Sequence, residues 1–162
     1  MNRGSQKIFG INPGTRYLGI AVLDSSELMD WRIKVFEGKW SKEKMKKAIE
    51  IISDFIERYE PGVLAIKRLH PSRRSRSLVL LVTRIKEFSK RKGLKVYQYS
   101  IKELEDYFIQ GEKLNKKNLA EVIVSENPVL FHELAKEKTH KNPYRIRMFE
   151  AVALGMMAEM HC

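Results

Sequence analysis

Arginines and lysines are the residues of this chain best placed to do chemistry, and that chemistry is the grip of phosphate. Between Lys67 and Lys95 eleven bases, Arg68, Arg73, Arg74 and Arg76 among them, stand against one acid, Glu87. The run Pro71-Ser-Arg-Arg-Ser-Arg-Ser77 mixes three guanidiniums with small hydroxyl residues just before a helical pattern. Guanidinium forks, hydroxyls and helix N-termini are the groups that hold phosphate oxygens; the plainer reading is a solvated basic loop. Lys113, Lys116 and Lys117 make a second cluster, and Lys136, Lys138, Lys141, Arg145 and Arg147 a third. A formal net charge of +11 over 162 residues fits a polyanionic partner, because neutralising phosphates releases their counterions. Arg147 and Glu150 lie three residues apart on one helical face, where they can pair.

Other chemistries lack their residues. No Cys/His spacing suits zinc, and no glycine loop of the Walker type supports nucleotide hydrolysis. His70 and His140 read as polar surface residues, and Asp24 and Asp30 as solvated strand-end acids. The one cysteine, Cys162, is the last residue; it forms no internal disulfide, which fits a reducing cytoplasm. Apolar runs are too short to span a membrane, and the first residues lack the apolar core of a signal peptide. The length fits one domain, residues 1–162, with a full core.

The elements that must position these residues follow from periodicity. Ile8, Phe9 and Ile11 form a buried strand that Asn12-Pro13-Gly14 ends in a turn, and Tyr17 to Leu23 resumes as a strand. From Leu28 to Phe36 Met29, Trp31, Ile33 and Val35 alternate with Leu28, Asp30, Arg32 and Lys34, which predicts a half-exposed third strand with those two faces. Ser41 caps a helix with Met45, Ala48, Ile52, Phe55 and Tyr59 at helical spacing. Val63 to Ile66 is a short buried strand, Ser77 to Lys92 a helix stopped by Gly93, and Leu94 to Tyr99 a fifth strand. Helices follow at Ile101 to Phe108, Lys116 to Val124, Pro128 to Ala135 with Asn127 as cap, and Arg145 to Met160. The methionine-rich last helix reads as core. The order β-β-β-α-β-α-β plus helices describes an α/β fold with a mixed five-stranded sheet and helices on both faces.

Four blocks resemble, in order, the RuvC-like (Holliday junction resolvase) family of the RNase H-like superfamily. Gly10-Ile-Asn-Pro-Gly-Thr-Arg-Tyr-Leu-Gly19 is similar to that family's G-I-D-P-G-S/T-R-x-x-G. Leu64-Ala-Ile-Lys-Arg-Leu69 stands where the family has A-[IV]-E-x-x-F. Tyr99-Ser-Ile-Lys-Glu-Leu104, with Lys113-Leu-Asn-Lys-Lys-Asn-Leu-Ala120, resembles P-x-x-V-K … G-x-G-x-A-x-K. Arg147-Met-Phe-Glu-Ala-Val-Ala-Leu-Gly155 replaces D-A-A-D-A-L-A-[LI]-[AG]. The resemblance implies an RNase H-like fold, a homodimer, and DNA rather than RNA as partner.

It also implies a site. The family's metal-binding acids fall at Asn12, Lys67, Arg147 and Glu150, and only Glu150 is still an acid. Two-metal cleavage needs several carboxylates about 2 Å from ions about 4 Å apart, and Lys67 and Arg147 carry the opposite charge. The implied function is binding of structured or branched DNA without a cofactor and with metal-dependent cleavage lost. Arg68, Arg73, Arg74, Arg76, Lys116 and Lys117 would contact phosphates. The altered pocket is either a relic closed by ion pairs from Arg147 and Lys67 to Glu150, a cationic phosphate pocket, or a rebuilt active centre. Two other functions stay open: a crossover junction endodeoxyribonuclease using Glu150, other acids and Mg²⁺, and an adaptor that binds another protein through the sheet and last helix.

Overall fold

A computed structural model describes residues 6–109, 116–139 and 145–161. Strands β1 (Lys7–Asn12), β2 (Tyr17–Asp24) and β3 (Glu27–Val35) are followed by α1 (Lys42–Tyr59), β4 (Val63–Lys67), α2 (Arg76–Arg91) and β5 (Lys95–Tyr99). Helices α3 (Ile101–Phe108), α4 (Lys116–Glu126), α5 (Phe131–Thr139) and α6 (Arg145–His161) complete it. The sheet order is β3-β2-β1-β4-β5, with β1, β4 and β5 parallel and the first three strands antiparallel. This is the mixed sheet with helices on both faces that the pattern of elements predicts.

Alternation along β1 divides the core. Phe9 and Ile11 point to one face, where they pack with Leu18, Ile20, Leu64 and Ile66 under α1 and α2. Ile8 points to the other, with Ala21, Leu23, Val63 and Ala65 under α6, α3 and α4. By the same two-residue period Asn12 and Lys67 end their strands on the α6 side. Both Ile66 and Phe9 are fully buried, and each such side chain stabilises the fold by roughly 1.5–3 kcal/mol relative to exposure.

α6 is buried on almost every side from Ile146 to Gly155, as a central helix should be. Two glycines let it lie directly on the sheet. A Cβ on Gly10 would stand 2.2 Å from the Ala151 carbonyl oxygen, and one on Gly19 would stand 2.3 Å from that of Arg147. No side chain fits at either point.

Three local expectations need correction. Between β2 and β3 the register shifts at Val22 and Leu23, which pair with Asp30 and Leu28 and leave Met29 over. This bulge reverses the alternation, so Leu28 packs inward with Trp31 and Ile33 while Met29 turns to solvent. Asn127 does not cap a helix: Pro128–Leu130 forms a 3₁₀ turn, and the buried Asn127 amide donates to the Ile123 carbonyl at 3.0 Å. Asp30 is more than a solvated acid. It accepts from the Tyr59 hydroxyl at 2.6 Å, and that bond holds the phenol's pKa above its usual value.

Candidate nucleic-acid interface

Glu150 is completely buried, and so is Asn12. A carboxylate without water needs a donor, and the Asn12 amide supplies one: Nδ2 donates to Glu150 Oε1 at 2.6 Å. The same nitrogen reaches the Arg147 carbonyl oxygen at 3.5 Å. An aspartate at this position would instead set two carboxylates against each other, a contact that demands a proton or a cation between them. The amide instead gives Glu150 Oε1 a hydrogen bond without adding a second charge.

Arg147 is arranged differently from the expectation. Spacing on the helix allows it to pair with Glu150, but no ion pair joins the two. Its guanidinium turns to the β1–β2 turn, where Nη1 stands 3.3 Å from the place of a Cβ on Gly14. Glu150, one turn further into the helix, is directed under the end of β1.

Lys67 ends β4, and the segments after β4 and β5 build a cleft around it. The cleft encloses about 410 Å³ and is lined by Lys67, Arg68, His70, Ser72, Ser100 and Lys102, with no acid among the described lining residues. Parallel neighbours explain its position, because Lys67 pairs in register with Tyr99 and both following segments emerge at the same edge. The carboxyl ends of parallel strands are where open α/β sheets bind ligands. The Ser72 backbone N–H donates to His70 Nδ1 at 3.1 Å, so the ring's own hydrogen lies on Nε2. Ser100 and Glu103 form a capping box at the start of α3. Lysine ammoniums, an imidazole N–H, hydroxyls and a helix start suit phosphate oxygens.

Residues of the basic clusters are used unequally. Arg68 binds Glu103 at 2.8 Å and the Gln98 carbonyl at 3.2 Å, both in exposed positions. This pair fixes the cleft wall, although an exposed ion pair stabilises the fold by at most about 1 kcal/mol. Arg74 and Arg76 are exposed beside Ser75, which caps α2. Arg145 is half-buried and bound to Glu133 at 3.1 Å. Lys113, Lys141 and His140 lie outside the described residues, as do the side chains of Arg73, Lys116, Lys117 and Lys138. Lys102, Ser100 and His70 were not evident as site residues in the sequence. The signal for them is topological: two parallel neighbouring strands bring the residues that follow them together.

The donor set does not fit a pair of divalent ions. Glu150 is one carboxylate whose Oε1 is already occupied by an amide, and Lys67 shares its face of the sheet. Among the described residues no three His, Cys, Asp or Glu side chains come together in a way that would hold a metal.

The architecture can be compared with solved structures. RuvC of Thermus thermophilus superimposes with a TM-score of 0.73 at 15% identity, covering 96% of this chain and 97% of that one. The same protein in complex with a Holliday junction substrate gives 0.69 at 16% identity, with 96% of each chain covered. The fold is RuvC-like. A Fowlpox virus resolvase in complex with Holliday junction DNA matches at 0.60 and 13% identity, over 96% of this chain and 99% of that one. By sequence, the chain matches no protein-family model and no curated protein. On the RuvC-like frame Asn12 and Lys67 lie at the carboxyl ends of two neighbouring interior strands, on the face that α6 covers with Glu150.

Proposed function

We propose that this chain binds structured or branched nucleic acid, DNA before RNA, as a homodimer and without metal-dependent cleavage. The observation that carries the reading is the buried Asn12–Glu150 hydrogen bond near a cleft whose described lining residues are cationic or neutral, with Glu103 paired to Arg68 at its wall. A metal site needs converging carboxylates; among the described residues this one has a single carboxylate, with its Oε1 bonded to an amide. The cleft and the exposed Arg74 and Arg76 offer phosphate contacts that need no ion. The fold shared with RuvC and a viral resolvase, both solved in complex with Holliday junctions, favours a branched duplex as the partner. Support for a second copy comes from α2, where Leu80 is 48% exposed beside Trp40, Met45, Ile49 and Phe88. No helix among the described residues is long and apolar enough to cross a membrane.

The test uses one labelled four-way junction in two assays. Anisotropy over a salt series gives affinity that falls steeply with salt, and denaturing gels with Mg²⁺ or Mn²⁺ give intact strands. Symmetric metal-dependent nicks would establish cleavage in place of this reading. Affinity indifferent to salt, or absent, would remove nucleic acid as the partner.

A further inference from the structure

The last turns of α6 contribute to a cavity of the opposite character. It encloses about 660 Å³, is built around Tyr107, Phe108, Met156 and Met160, and carries the carboxylates of Glu126 and Glu159. No lysine, arginine or histidine is among its described lining residues, in a chain with a net charge of +11. Neither glutamate forms an ion pair with a described residue. Ser26, at the left-handed turn between β2 and β3 (φ 70°), donates its hydroxyl to Glu159 and steadies that carboxylate at the rim.

The apolar part is exposed as well. Met160 is 66% and Tyr107 40% exposed, and just beyond Glu126 come Val129 at 55% and Phe131 at 64%. These are half of the large apolar side chains exposed among the described residues, and Tyr107 and Met160 line the cavity itself. Clustered exposed apolar groups mark interaction sites, and methionines adapt to varied partners. Two carboxylates beside them repel phosphates and attract cations, so a nucleic acid is the wrong occupant.

We propose that this cavity docks a segment of another protein that presents an apolar anchor side chain next to a lysine or arginine. The anchor enters between Met156, Met160 and Tyr107, and the base meets Glu126 and Glu159 at the rim. Charge complementarity selects the segment and the apolar contact holds it. The surface does not depend on the nucleic-acid reading. Glu159 lies nine residues along α6 from Glu150, about 14 Å at the rise of a helix.

The experiment selects dodecapeptides from a random displayed library on the full chain, then measures the enriched peptides by anisotropy. Lysine- or arginine-bearing peptides with a Leu, Met or Phe anchor should be enriched, and the double variant Glu126→Lys, Glu159→Lys should bind them at least about tenfold more weakly. The milder Glu126→Gln, Glu159→Gln variant should lie in between. Thermal unfolding and affinity for the four-way junction should stay within about twofold of the unaltered chain in the Gln variant, and the salt slope of junction binding should stay unchanged in both, which separates this surface from the proposed nucleic-acid interface. No enrichment, enrichment of acidic peptides, or binding indifferent to both variants would overturn the proposal. Peptides that need the charge but no anchor side chain would also overturn it, because the cavity would then be a cation site only.

Discussion

The two ends of α6 place similar residues in opposite situations. Near its start Glu150 is sealed between helix and sheet, its carboxylate bonded to the Asn12 amide. Near its end Glu159 is half-buried at the rim of a cavity, and among the described residues its carboxylate accepts from a serine hydroxyl beside exposed methionine. A buried carboxylate leaves its neighbours little choice, because a missing donor costs about 1–3 kcal/mol or more. One at a cavity rim keeps contact with water whether or not a partner arrives, and it remains available for recognition. Burial thus makes the first end structural and leaves the second free to bind.

The strongest way to break the comparison is to move the helix that carries both ends. Gly10→Ala places a methyl group against the Ala151 carbonyl. It should cost about 3 kcal/mol, the upper end for overpacking, read as a fall in Tm of roughly 6–12 °C. An unchanged melting curve would show that α6 does not lie on the sheet as described. The buried end itself is sharpened by a double-mutant cycle. Glu150→Ala and Asn12→Ala should each destabilise by about 1–3 kcal/mol, and the pair together by clearly less than the sum. Additive losses would mean that the two side chains do not depend on each other.

A smaller effect separates the cleft from the buried bond. Lys67→Glu and Lys102→Glu should each weaken binding of the junction and lower the slope of log affinity against log salt by about one. A slope equal to that of the unaltered chain would take the cleft out of the phosphate contacts. The exposed end should be the least sensitive of all. Glu159→Gln should change stability by no more than about 0.5 kcal/mol and leave junction affinity untouched, as chemical denaturation and anisotropy would show.

Much of this frame could be read along the chain. Five strands and the helices between them follow from periods of two and about 3.6, and Ser41 caps the helix it precedes; Ser75 and Ser100 are caps that the structure adds. Reading failed where local rules met distant contacts. The alternation in β3 predicts Met29 inside, but the bulge against β2 puts it outside. Asn127 has the side chain of a cap, yet it is buried against α4 and makes its bond there. Arg147 and Glu150 have the spacing of an ion pair, yet Asn12 takes the carboxylate and Arg147 turns to Gly14.

What the sequence determined by itself is therefore local and parity-based. The alternation of β1 and β4 sets Asn12 and Lys67, an amide and an ammonium, on the face opposite Phe9 and Ile66. The tertiary structure alone decided which residues meet. Glycines at 10 and 19 let α6 settle on the strands, which brings Glu150 to an amide 138 residues away in the chain. Parallel pairing of β4 with β5 brings Lys102 to Lys67. Side-chain periodicity acts over a few residues, whereas these contacts depend on how whole elements pack, and that is set by the shape of the core they share.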